Sequence, residues 1–150
     1  MATLRQAIKT YLASDSDWQT LFGASPNTRL FLREDLPLED LTMENVPPIC
    51  FVNGLLALTC FLTFSTTQPK EIVRHSQRRF VTLWFYHWND FALLELADTL
   101  AKELLHMKTV DATDYGLNYF FAVDGVEFRA AELNNAAGRS LVFTLDQTRR

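Results

Sequence analysis

Apolar and polar residues change period within residues 78–107, from two to about 3.6, and that change predicts a strand running straight into a long helix. Arg78 to Trp88 is rich in aromatic and β-branched residues, which suit a pleated surface. Phe80, Thr82, Trp84, Tyr86 and Trp88 fall on one face of that strand; Val81, Leu83, Phe85 and His87 fall on the other. Both faces are largely apolar. The pattern therefore predicts a central strand covered on both sides, or covered on one side and engaged by a partner on the other. Asn89 or Asp90 then caps a helix to Met107, about 27 Å long at ~1.5 Å per residue. Leu93, Leu96, Ala97, Leu100, Ala101, Leu104 and Met107 make its expected buried stripe, with Glu95, Asp98, Thr99, Lys102, Glu103 and His106 opposite. Asp98 and Lys102 are placed to pair across one turn.

Upstream, Thr3-Leu4-Arg5-Gln6 reads as a capping box opening a helix to Ala13 or Ser14, with Leu4, Ile8, Tyr11 and Leu12 on its apolar side. A short helix from Ser16 ends at Gly23 and turns Trp18, Leu21 and Phe22 to the core. Ser25-Pro26-Asn27 marks a turn, and residues 28–32 a short strand. No period is evident from Arg33 to Pro48. Within it, the 34–48 loop carries Glu34, Asp35, Glu39, Asp40 and Glu44, interleaved with Leu36, Leu38, Leu41 and Met43. That is a solvated acidic loop, or a docking segment with the leucines as anchors. Residues 49–52 and 55–64 form a hairpin across Asn53-Gly54, with Val52 facing Leu55 and Cys50 facing Ala57. Cys60 lies out of register for a disulfide with Cys50, so two reduced core thiols are expected. Residues 66–79 form a long hairpin arm.

Downstream, residues 108–117 read as a polar loop. Asp124-Gly125 reads as a tight turn between strands 119–123 and 126–130. Asn134, Asn135 and Gly138 mark a second turn, and residues 139–145 a last strand with Leu141, Phe143 and Leu145 on one face. The fold class is α/β of the α+β kind: a mostly antiparallel sheet, one long helix and an N-terminal helix packed on it, and the hairpin arm. Residues 1–150 form a single domain.

Charge changes this picture. Lys70, Arg74, Arg78 and Arg79 against Glu71 leave +3 over residues 68–79, so the rest of the chain carries −7 of the total −4. The arm is either a solvated hairpin or a basic contact surface. An acidic balance argues against general DNA coating, which needs clustered cations. Apolar residues at 48% and aromatics at 13% exclude a disordered chain and leave apolar surface for partners. The polar N-terminus and the lack of a membrane-length apolar run predict a soluble, cytoplasmic protein.

Candidate chemistry adds little. P-loop, dinucleotide and nucleophile-elbow motifs are absent, and His75, His87 and His106 have no His or Cys at metal-ligand spacing. Catalytic, cofactor-binding and metal-binding residues are therefore expected to be none. The enzyme alternative is a small cytoplasmic enzyme or ligand-binding domain with a pocket near His87 and Trp88. Phe80, Trp84 and Tyr86 at period two are more simply core residues than base-stacking platforms.

Taken in order, the elements resemble the tail terminator and tail-completion proteins of long-tailed bacteriophages. The likeness runs through Leu4-Arg5-Gln6-Ala7-Ile8, Trp18-Gln19-Thr20-Leu21-Phe22-Gly23, Pro47-Pro48-Ile49-Cys50-Phe51-Val52, the Arg79 to Tyr86 strand feeding its helix, and Gly138 to Leu145. The long acidic loop and the extended 55–79 hairpin depart from the family pattern. The resemblance implies a non-enzymatic neck protein of the virion, assembled in the host cytoplasm. It implies a ring, usually of six copies, that caps the tail tube, stops its polymerisation and offers a head-joining surface. Implied partners are other copies of itself, the tail tube protein and a head-side connector, with DNA only as passing cargo and no membrane. A head-closure or other connector protein is the alternative within that class. In such a ring Lys70, Arg74, Arg78 and Arg79 are expected to face Glu34, Asp35, Glu39, Asp40 and Glu44 of the next subunit.

Overall fold

Three helices and nine strands follow one another in the computed structural model, which describes residues 4–24, 27–37, 39–65, 71–73, 76–112 and 116–148. At residues 71–73, 76–78, 111–112, 116–118 and 147–148 only the backbone is described. The order is α1 (Leu4–Ala13), α2 (Ser16–Phe22), β1 (Leu30–Leu32), β2 (Phe51–Val52), β3 (Leu55–Leu56), β4 (Thr59–Ser65), β5 (Glu71–Val73), β6 (Ser76–His87), α3 (Phe91–Leu105), β7 (Thr109–Ala112), β8 (Gly116–Ala130) and β9 (Ala136–Thr148). The main sheet runs β1-β4-β6-β9-β8-β7, with β5 also on β6, and β2–β3 stands apart. Every pair is antiparallel except β1 on β4. The architecture is the expected α+β one.

β6 lies between β4 and β9, so the longest aromatic run occupies the middle of the sheet. Val81, Leu83 and Phe85 turn to the helices and are fully buried, joined by Leu141, Phe143 and Leu145 of β9. Ile8 and Leu12 of α1, Trp18 and Phe22 of α2, and Leu94, Ala97, Ala101 and Leu105 of α3 close that core. Asp15 caps α2 by accepting from the Trp18 N–H, and Asp90 caps α3 by accepting from the Leu93 N–H. Gly23 ends α2 at φ 95°, a conformation that a Cβ would strain.

Several expectations need correction. Leu96 is exposed and Met107 lies beyond the end of α3, also exposed, whereas Asp98 is buried. The buried stripe is turned toward Leu94 and Leu105, because Arg139 on β9 gives Asp98 a partner inside the helix–sheet interface. Residues 108–117 are not simply a loop: β7 pairs with β8 through Thr109↔Tyr119 and Val110↔Asn118. Asp124-Gly125 is not a turn. β9 offers a ladder partner on both sides of it, from Val123↔Val142 to Val126↔Ser140, so the extra residue bulges within one strand. The tight turn lies instead at Asn134-Asn135, both at φ 56°, as the sequence also marked. Asn53-Gly54 does turn as expected, with Val52↔Leu55 in register, but the following run breaks at Ala57-Leu58 into β3 and β4. Cys50 and Cys60 are free and buried. The capping residue Thr3, the turn at Ser25-Pro26 and most of the 66–79 arm lie outside the described residues.

Candidate functional site

The second face of the sheet lies away from the helices. It carries Thr82, Trp84 and Tyr86 of β6, partly exposed, beside Phe61 of β4 and Phe128 of β8. These rings lock together: Phe61 to Tyr86 at 5.7 Å, Trp84 to Phe128 at 5.9 Å, and Tyr86 to Phe128 at 5.8 Å between centroids. The Trp84 Nε1–H donates to Thr63 Oγ1 at 2.8 Å. Burial pushes the Tyr86 phenol up to about 12, so it stays protonated at neutral pH.

The acidic segment straps one end of this face. Leu41, Met43, Val46, Ile49 and Cys50 pack on Phe31, Tyr86, Phe128, Ala130, Leu133 and Ala136 as a second small core. Its apolar residues anchor the strap to its own sheet. Leu41 and Met43 are thereby engaged within the subunit; Leu36 is partly buried, and Leu38 lies outside the described residues. The segment is laced to itself: Arg33 donates to the Pro37 and Glu39 carbonyls at 2.9 Å each, and Asn45 bridges Thr42 N and Asp40 O at 2.6 Å each. Glu34 pairs with Arg5 at 2.8 Å, while Asp35, Glu39, Asp40 and Glu44 point to solvent. Arg5 also lies over the Phe64 ring at 5.2 Å. Two shallow clefts border the strap. One of about 390 Å³ is lined by Arg5, Arg33, Glu34 and Phe64; one of about 190 Å³ is lined by Arg33, Leu41, Phe61, Trp84 and Tyr86.

Of the basic arm, Lys70 and Arg74 lie outside the described residues. The Arg78 and Arg79 backbones lie on β6 opposite Asp146 and Leu145. His87 Nδ1 accepts from the Asn89 and Asp90 N–H groups at 3.2 and 3.1 Å, which joins β6 to α3. Burial lowers its pKa and Asp90 opposes that, while Nδ1 is engaged by the two backbone N–H groups. Among the described residues no group of three or more His, Cys, Asp or Glu could hold a metal ion.

The sequence reading missed the strongest polar cluster. Asp98, 2% exposed, accepts from Arg139 Nε at 2.8 Å and pairs with Lys102 at 2.9 Å. Arg139 also reaches Glu127 at 3.0 Å. Burial alone would lower the Arg139 pKa; Asp98 and Glu127 outweigh it and raise it. Gly125 completes the cluster, since Asp98 Oδ2 and the Arg139 guanidinium occupy the space a Cβ would need. The Asp98–Lys102 spacing was the visible signal; the third partner, 41 residues away in sequence, was not.

No protein-family model and no curated protein matches this sequence. In fold the chain is similar to a chain of the virion of a native gene transfer agent particle, with a TM-score of 0.71 at 14% identity. The likeness covers 97% of this chain and 94% of that one.

Proposed function

We propose that this chain is a structural virion protein of a phage-like neck, in the role of a tail terminator. The observation that carries the proposal is the end-to-end fold likeness to a virion chain, which leaves almost none of either chain over. In this role the protein forms a ring on the finished tail tube, stops its growth and presents a surface to the head-side connector. Its partners are further copies of itself, the tube protein and the connector; DNA passes through without being read. The work is assembly rather than catalysis, and the virion is its final location.

Ring closure needs two different patches on one subunit that complement each other. The exposed carboxylates of Asp35, Glu39, Asp40 and Glu44 supply one; the arm with Lys70, Arg74, Arg78 and Arg79 supplies the opposite charge. Native mass over a concentration series, followed by negative-stain imaging with and without tail tubes, tests the reading. The expected result is a discrete ring with an open centre, free or on tube ends. Reversal of both Arg78 and Arg79 to Glu is expected to weaken assembly; an unchanged oligomer rejects the charge contact. A monomer at every concentration that also ignores tube ends rejects the terminator role.

A further inference from the structure

Of the chain's three histidines, His87 and His106 lie among the described residues, one at each end of α3. Each uses Nδ1 as an acceptor for backbone. His87 Nδ1 takes the Asn89 and Asp90 N–H groups at the turn that leads into the helix cap. His106 follows the last residue of α3 and donates its own N–H to Lys102 O at 2.8 Å; its Nδ1 accepts from the Ala122 N–H of β8 at 2.9 Å.

The His106 contact finishes a ladder. β7 and β8 pair as far as Thr109↔Tyr119; the Met107 N–H then donates to Phe120 O at 2.7 Å and the Phe120 N–H to Lys108 O at 3.2 Å. Backbone donors of a strand alternate between its two edges, so the Ala122 N–H is the next β8 donor on this edge. β7 has ended there, with Met107 at φ 58° making the corner from α3. The imidazole supplies the acceptor at that rung, its ring edge-on to Phe121 at 6.0 Å.

An imidazole nitrogen accepts only while it carries no proton, and both nitrogens of the charged ring are donors. Protonation therefore sets N–H against N–H at all three contacts. A buried donor that loses its acceptor carries the full desolvation penalty, whereas an exposed one turns to water. The Ala122 contact is partly buried and the other two are exposed, so the larger effect falls at the C-terminal end of α3. The middle of the helix is attached differently, through Asp98 to Arg139 and Lys102, which involves no histidine. Charged and titratable groups near His106 are Lys102, Glu103 and Lys108 along its own segment, Tyr11 of α1 through its bond to Leu104 O, Tyr119 of β8, and Asp146 opposite Tyr119 on β9. Near His87 they are Asp90 and Arg129, the latter 3.4 Å from Asn89 Oδ1.

We propose that these two histidine lone pairs make the seating of α3 pH-sensitive: acid releases the helix ends from the sheet while the Asp98 cluster holds the middle. Release at His106 leaves the Ala122 N–H as an open donor on the edge of β8, where another strand can pair. The device stands independently of the ring reading.

The test is hydrogen exchange of the full chain at residue resolution from pH 7.5 to pH 4.5, corrected for the intrinsic pH dependence of exchange, with histidine ring titrations followed by nitrogen NMR on the same samples. Both rings are expected as the Nε2–H tautomer at pH 7.5. Protection of the Ala122 amide is expected to fall about tenfold in step with protonation of His106. The Asn89 and Asp90 amides are expected to show a smaller step that follows His87, and Leu83 and Phe85 in the central strand to stay protected. His106→Asn keeps an acceptor that does not titrate, so Ala122 is expected to lose its step; His106→Phe is expected to leave Ala122 weakly protected at every pH. An Nδ1–H tautomer of His106, Ala122 protection indifferent to its protonation, or the same step in His106→Asn overturns the proposal. So does a ring that stays neutral until Leu83 and Phe85 lose protection, because the acid response then belongs to the whole fold.

Discussion

Asp98 is a carboxylate with almost no exposed surface, held by two cations on two different elements. Removing one partner of a buried pair leaves a poorly compensated charge, which costs more than the pair contributes. Arg139→Met is expected to destabilise the fold by about 3 kcal/mol, the low end for a broken buried pair because Lys102 remains. Asp98→Asn combined with Arg139→Met is expected to cost clearly less than the sum of the single changes, as measured by urea unfolding of all four proteins. His87 gives a pH dependence of known sign. Its folded pKa lies below the ordinary value, so the unfolded chain takes up the proton first as pH falls. Its contribution is whole above the unfolded pKa, about 6.5, declines below it, and levels off beneath the folded pKa. The drop in urea midpoint from pH 7.5 to pH 5.5 is expected to be smaller in His87→Gln than in the wild type; equal drops would show that His87 is not the group responsible.

The short helix α2 depends on its aromatic stack more than on its length. Helices this short are unstable alone in water, so tertiary packing must hold it. Trp18 stacks on Phe22 at 4.3 Å and 20°, and both rings meet Phe85 of the central strand, at 6.4 and 6.0 Å. Trp18→Ala is expected to cost about 3–5 kcal/mol, read as a lower denaturant midpoint with an unchanged slope. Elements of this kind were legible, because Trp18, Leu21 and Phe22 sit on one side before a natural C′ glycine. Strand β8 was less legible. Asp-Gly favours a two-residue turn locally, yet a continuous ladder to β9 outweighs that preference and keeps the chain extended through a bulge. The helix stripe was legible in period but not in phase, since Leu93 and Leu94 are adjacent and only the sheet selects between them.

At the scale of the whole molecule, among the described residues, one sheet face packs against the three helices and the strap packs on one end of the other. The charge contact of the proposed ring is testable with salt. Ion pairs at an exposed surface are screened at molar ionic strength, where the Debye length falls to about 3 Å, whereas apolar contacts are not. If the acidic strap and the basic arm carry the association, the oligomer is expected to dissociate in 1 M sodium chloride and to be weakened at low salt by reversal of both Arg78 and Arg79 to Glu. Sedimentation at both ionic strengths checks this. An oligomer that persists in 1 M sodium chloride would place the contact outside these charges.

By itself the sequence determined the class of fold, the central strand, the three helices, the apolar sides of the first two, and the hairpin at Asn53-Gly54. These follow from periods and turn residues that act over a few positions, and backbone geometry makes them local. It also segregated acidic from basic residues along the chain. Tertiary structure alone decided the parallel pairing of β1 with β4, the phase of α3, the bulge in place of a turn, and the Lys102–Asp98–Arg139–Glu127 cluster. It also decided that the leucine- and methionine-bearing strap folds onto its own sheet. Each of these is a contact between distant residues, where burial and ladder hydrogen bonds outweigh local preference.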